Sequence, residues 1–475
     1  MKKLITMGMC LVMAVTMLAG CKVALTDETK PEDTVTSQPK ENDAQENENG
    51  TIVKYGKELT NLSLDGTLSK QYEGQSIVVP VMSGDFEKAI NDVVPIFEEL
   101  TGADVIVESV PGEQFTDKLQ LDLNNTKRYD IVLAPIAFLH SFAASQKIEP
   151  LQPMIDQYAG ASYDTGDFIP ALFETYGMYQ GSLYAIPYKP DVELLFYRKD
   201  LFEDEAVKAS FKEKYGRDLE VPKTNEELME VAGFFTKSAN PDSPVDYGYS
   251  TNMMKGCTRL LFINRGGDDV NESLQPNMNN QEGIDALNRV LELQKYAPKE
   301  WMQMGWDEAN QFFANGNAAM MEQWPGLWNT CQADGSAVKD KIGVAMAPGA
   351  TPVLGGWGVG ISAGSKNKEL AWKFVEFITS KDGELLKIEN TMDPCRTSTY
   401  AIDEVSKSSA LYDALMESLK YAKTLADVDI PYVSSKLNDV MELHIQEAMN
   451  GNVTPEKALA DMEAEFQKEI EGALQ

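Results

Sequence analysis

Histidine is almost missing from this 475-residue chain: only His140 and His444 occur, far apart and in no ligand-like spacing. Zinc clusters and histidine-based catalytic triads are therefore poorly supplied. Basic charge is scarce as well, with 42 Lys and Arg against 74 Asp and Glu and a formal net charge of −32. Without a basic footprint, nucleic acid and anionic lipid are excluded as working partners, whereas a neutral ligand is not. Cysteine is sparse and never in CxxC spacing. Cys10 and Cys21 lie near the start; Cys257, Cys331 and Cys395 can form at most one disulfide, and they read as small buried hydrophobes. The apolar run Leu4 to Met17 is too short to need to stay in a membrane as a span.

That run is preceded by Lys2 and Lys3 and closed by Leu18-Ala19-Gly20-Cys21, the pattern of a secretory signal with a processing site, here residues 1–20. Leu-Ala-Gly-Cys resembles the bacterial lipobox, which implies a lipid-modified Cys21 as the first residue of the mature protein. Each buried acyl methylene contributes ~0.8 kcal/mol, so several chains hold a soluble body at a membrane. The stretch from Lys22 to about Gly50 is rich in Asp, Glu, Asn, Gln, Thr and Pro and has hardly a large apolar residue after Leu25. It cannot bury enough surface to offset the entropy of ordering it, and residues 21–67 are expected to be a disordered acidic tether.

The remaining chain, roughly 400 residues, exceeds the size at which single cores stop growing, so two lobes are expected. Ser76 to Val81 reads as a buried strand, followed by a helix with Phe86, Ala89, Ile90, Val93, Phe97 and Leu100 on one side, which Pro95 should bend or restart. Ala103 to Val110, Glu113 to Leu123 and Tyr129 to Leu133 continue as strand, helix, strand. This rhythm implies a parallel sheet, with ligand loops beyond the strand ends at Ser83–Asp85 and Ala134–Ala137.

Ala318 to Glu322 reads as extended and delivers Trp324 and Trp328 just beyond a strand end, while Trp357 is flanked by glycines that let backbone approach a ligand. An indole offers a flat apolar face suited to the C–H faces of sugar rings, whose hydroxyls need a rim of carboxylates, amides and arginine. Trp372 lies on a helical stripe with Phe374, Val375 and Ile378 and belongs to the core. Gly358-Val-Gly360-Ile-Ser-Ala363 fits the GxGxxG/A dinucleotide pattern, but Val359 and Ile361 read as the strand itself and the helix starts after Ser365, so nucleotide binding is set aside.

Ile96–Gly102, Tyr129–Val132, Gly181–Pro187 with Tyr197–Phe202, Phe312–Trp328, and Gly355–Ser362 with Ser365–Phe374 together resemble, in order, the solute-binding proteins of ABC importers, in particular the maltose- and oligosaccharide-binding group. The resemblance implies an α/β periplasmic-binding-protein-like fold: two α/β lobes joined by a three-segment hinge with a ligand cleft between them. The lobes would be 68–189 plus 348–394 and 190–347 plus 395–475. It also implies ligand contacts from Ser83, Gly84 and Asp85, from Tyr188 and Asp191, from Trp324 and Trp328, and from Trp357. Arg396, at the third crossing, would reach a ligand or salt-bridge across the hinge. The expected role is capture of a sugar or oligosaccharide by a monomer and its delivery to an ABC permease outside the cytoplasm. No cofactor, metal, catalytic residue or nucleic acid is implied, and the membrane is met only through the N-terminal lipid. The alternatives are an exported carbohydrate-active enzyme using a carboxylate pair, or the same transport role with a non-sugar solute such as a polyamine, peptide or metal ion.

Overall fold

The computed structural model describes residues 45–46, 51–253, 256–349, 351–390, 392–425, 430 and 434–473. The expected signal segment, Cys21 and the tether up to residue 44 lie outside the described residues. The later part of the tether expectation is corrected. Ile52–Lys54 pairs with Lys57–Glu58 as an antiparallel ribbon, and Leu59 and Leu64 are buried in a core cluster. Leucines recur here where the preceding acidic run has none, and the area they take out of water is enough to hold the backbone down.

The expected strand–helix rhythm is present. Ser76–Met82 and Asp104–Val110 pair in parallel, each followed by a helix, Asp85–Thr101 and Gly112–Leu121. The first helix runs through Pro95 as one element: its buried face, Phe86 to Phe97, outweighs the hydrogen bond that proline cannot donate. Ile131–Pro135 lies beside the first strand, because Asp130 donates its N–H to the Val78 carbonyl (3.0 Å) and its carboxylate accepts the Val78 N–H (2.9 Å). Trp357–Ile361 then pairs antiparallel with both Ile131–Pro135 and Ile186–Lys189. Residues 358–360, the centre of the dinucleotide-like pattern, are therefore strand, and the next helix opens only at Lys368.

A second sheet has Leu194–Arg198 at its centre, antiparallel to Ala318–Gln323 and to Ile342–Met346, with Tyr247–Ser250 parallel to Ala318–Gln323 at the edge. Its side chains alternate: Leu194 and Phe196 join the core that runs on from the first sheet, while Leu195 and Tyr197 join the core formed with the helices. The C-terminal helix Pro455–Ala473 adds Leu459, Met462, Phe466 and Ile470 to that second core, as its periodicity predicts.

Three passes of the chain meet between the sheets. Val192 forms an antiparallel bridge to Leu354, and Val353 forms a parallel bridge to Lys423. Val192 lies between strands Ile186–Lys189 and Leu194–Arg198, and Val353 and Leu354 lie between strands Ile342–Met346 and Trp357–Ile361. Cys395, Val405, Leu411 and Leu415 are buried in a core cluster that takes side chains from both sheets, the helix Leu411–Leu419 lies against Ile342–Met346 of the second sheet, and the chain bridges to Val353 at Lys423. An Asp-Pro signal marks a turn; where the following helices find apolar cover is a tertiary matter.

Cys257, Cys331 and Cys395 are unpaired and buried. Burial pushes all three thiols up, Cys331 to about 12. The thiolate is the reactive species. None of the three should be alkylated in the native protein while all three are modified in denaturant, as read by mass spectrometry of the peptides; quick native labelling of any one would contradict this burial.

Candidate functional site

The loop after the first strand leaves Ser83, Gly84 and Asp85 exposed, at the start of the helix that carries Phe86 inward. Phe86 is buried and its ring lies 4.4 Å from the Trp357 indole and 6.4 Å from the Tyr188 ring, measured between centroids. The Phe115 ring centroid lies 5.7 Å from that of Trp357. Trp357 opens its strand and is half-buried. Two phenylalanines thus hold an indole that keeps part of its surface open.

The facing wall comes from the second sheet. Trp324 and Trp328 follow the end of Ala318–Gln323, and both are half-buried. The Gln323 side chain is buried and accepts hydrogen bonds from the Trp324 N–H (3.0 Å) and Asn252 Nδ2 (3.2 Å) while donating to Asn310 Oδ1 (3.0 Å). Trp328 rests on the apolar cluster that contains Leu327 and Cys331. Asn329 reaches the opposite wall, its Nδ2 donating to Asp85 Oδ2 at 3.4 Å.

The floor is the first pass of the hinge. Tyr188 is only 1% exposed. Its ring lies under the Lys387 ammonium at 4.8 Å and its carbonyl accepts from Lys387 Nζ, so it supports the floor rather than offering a surface. Lys189 and Asp191 form a buried ion pair. Burial works against the Lys189 ammonium, but Asp191, Asp393 and Asp85 together hold it charged above the ordinary lysine value. Burial pushes Asp393 up to about 7, with Lys189 opposing and Asp191 reinforcing the shift. The carbonyl of Asp191 accepts the Gly355 N–H (2.9 Å), and its N–H donates to Tyr176 Oη (3.3 Å).

The structure therefore brings Asp85, Asp191, Trp324 and Trp357 to one place between the sheets, with Ser83, Gly84 and Trp328 at its margin. It does not bring Arg396 there. Arg396 is fully buried: Nε donates to Thr379 O (2.8 Å), Nη1 to Asp164 O (2.6 Å), and its guanidinium lies 3.9 Å over the Phe168 ring. A cation so enclosed ties together the first core. Phe86, Phe115, Asn329, Gln323, Lys189 and Asp393 are parts of the site or its support that sequence reasoning did not single out. Lys189 was readable only as a connector, and Asp393 only as a turn former before proline. Among the described residues no group of three or more metal-ligating side chains comes together, and no helix is long and apolar enough to cross a membrane.

Comparison with known proteins gives this arrangement its context. The family model for bacterial extracellular solute-binding proteins matches residues 81–385. A protein of Sinorhizobium fredii named a probable amino-acid ABC transporter periplasmic-binding protein is 26% identical over 419 residues, which is 84% of this chain and 90% of the relative. A mannitol-binding protein of Pseudomonas aeruginosa is 25% identical over 411 residues, 78% of this chain and 86% of its own. Maltose-bound MalE3 of T. maritima shares the fold with a TM-score of 0.70 at 24% identity, covering 83% of this chain and 100% of that one. The chain belongs to the bacterial extracellular solute-binding protein family.

Proposed function

We propose that this family member captures a sugar or polyol in the cleft between its two lobes and hands it on, chemically unchanged, to the transmembrane subunits of an ABC importer. The observation that carries this reading is the pair of half-open indoles, Trp357 on one wall and Trp324 on the other, with the exposed Asp85 carboxylate at the rim and the Lys189–Asp191 ion pair in the floor. Indole faces match ring C–H patches, and carboxylates accept from hydroxyls. One lobe is built on the first sheet from residues 68–189 and 348 to about 406, the other on the second sheet from residues 190–347 and the C-terminal helices, and the segments around Val192 and Leu354 absorb the closing motion. Contacts both lobes make only when shut supply the free energy of closure. Cys21 would anchor the protein, as a monomer, to the outside of the membrane, and no catalytic step is assigned to it.

A second reading follows from the floor. Asp85, Asp191 and Asp393 act on the Lys189 ammonium, Lys387 also acts on Asp393, and the exposed Asp85 carboxylate at the rim also suits an amine-bearing solute. A thermal-shift panel separates the two, because a ligand that binds only the folded state stabilises with the logarithm of its concentration over Kd. Sugars and polyols should raise Tm and be recovered intact. Stabilisation by polyamines or amino acids alone would end the sugar reading. With the best compound, Trp324→Ala and Trp357→Ala should each weaken binding by ~1 to 3 kcal/mol, by analogy with other truncated binding anchors.

A further inference from the structure

Residue 355 lies where the passes of the chain meet. Its N–H donates to the Asp191 carbonyl of the first pass at 2.9 Å, and the preceding Leu354 donates to the Lys423 carbonyl of the third at 2.8 Å. Leu354 also bridges to Val192. Gly355 is thus pinned by backbone bonds on both sides of it.

The indole of Trp324 lies directly on that spot. A Cβ built on Gly355 would stand 2.6 Å from Trp324 Cη2 and 2.7 Å from Cζ3. Those are separations real carbon atoms do not adopt, so any side chain at 355 would have to push the ring away. The backbone from which the ring springs is fixed, because the Trp324 main-chain N–H donates to the Gln323 side chain, itself held by Asn252 and Asn310. The neighbouring Gly356 differs. Its φ of +104° demands glycine by itself, and a Cβ there would meet Tyr176 Oη at 2.0 Å, not Trp324.

We propose that Gly355 is a positioning residue: its bare backbone is the seat on which the Trp324 indole rests, so that the ligand wall of the second sheet is set in register with the joined passes of the hinge. The ligand part of this rests on the reading given above; the seat itself does not. A seat of this kind couples an aromatic anchor to the segments that move on closure, since a shift of residues 353–355 against Asp191 would carry the indole with it.

A mutant cycle on the ligand-free full-length protein tests the seat. Gly355→Ala should displace the indole, changing the tryptophan emission spectrum and near-UV circular dichroism and raising acrylamide quenching. The same substitution in a Trp324→Ala background should change none of the three. Gly356→Ala serves as the contrast and should destabilise the protein equally in both backgrounds. If Gly355→Ala fails to fold, Gly355→Ala/Trp324→Ala should recover folding, because the clashing ring is gone. For the best compound of the panel, Gly355→Ala should weaken binding by at least ~10-fold, with no further loss when Trp324 is already alanine. Equal spectral changes in both backgrounds, unchanged spectra in Gly355→Ala, or a double variant that stays unfolded would overturn the proposal. Intact spectroscopic coupling with no effect on binding would leave the seat standing and remove Trp324 from the ligand wall.

Discussion

Arg265→Ala is expected to destabilise the protein by about 3–5 kcal/mol, because it strands a buried carboxylate. Arg265 is fully buried; its Nη2 donates to Glu322 Oε1 at 2.5 Å and to the Pro348 carbonyl at 3.4 Å. Glu322 takes a further bond from Tyr249 Oη at 2.9 Å, and Glu193 lies close enough to act on the same group. Removing the guanidinium leaves two acidic groups close together out of water, with only neutral donors, the Tyr249 phenol and the Asn264 amide, to answer them. The pair ties the strand that leads to Trp324 to the second pass at Pro348, so the loss falls on the frame of the site. Arg265→Met/Glu322→Gln should recover much of the difference, since removing both charges avoids the desolvation penalty that removing one creates. Urea midpoints for the three proteins decide it: a single-variant loss below ~1 kcal/mol would mean that Arg265 is not holding a buried charge.

The second large effect concerns Glu193. Burial, reinforced by Glu322 and opposed by Asn264 and Arg265, pushes its carboxyl from 4.5 up to about 8. Between those values the folded chain keeps a proton that the unfolded chain releases. Stability therefore falls as pH rises through that interval, with a slope approaching ~1.4 kcal/mol per pH unit for one such group, and levels off outside it. Asp393, raised from 3.8 to about 7, adds a decline of the same sign that ends lower. Glu193→Gln keeps an oxygen for the Asn264 Nδ2–H, 2.5 Å away in the native protein, and carries no charge to desolvate. The variant should be more stable than the parent at pH 8 and should lose the decline between the two upper limits, about 7 and about 8. Denaturation curves across that interval with parallel slopes for parent and variant would show that Glu193 is not the group responsible.

Much of the site was legible in residues that carry their own local signal. Ala318–Met321 is an apolar run after a helix stop and the strand continues through Glu322 and Gln323, so Trp324 emerges at a strand end. The glycines before Trp357 announced a close backbone approach, and the helical stripe around Trp372 announced a core position, which its full burial bears out. Polar residues carried weaker signals. Asp85 is exposed and Asp191 is buried in an ion pair, while Tyr188, also implied by the resemblance, and Arg396, placed at the expected third crossing, are sealed beneath the site or in the first core. A tyrosine or arginine serves equally as a ligand contact or as a buried brace, and its one-dimensional neighbourhood does not separate the two uses.

Taken alone, the chain determined its alternation of strands and helices, the order of its blocks and the emergence of Trp324 and Trp357 at strand ends, because each depends on side-chain periodicity within a dozen residues. Only the tertiary structure decided that Arg265 meets Glu322, 57 positions away, that Trp324 rests on Gly355, and that Lys423 bridges to Val353. Those outcomes are set by sheet pairing and by which apolar faces cover one another. They are properties of the whole packed body, and no local propensity encodes them.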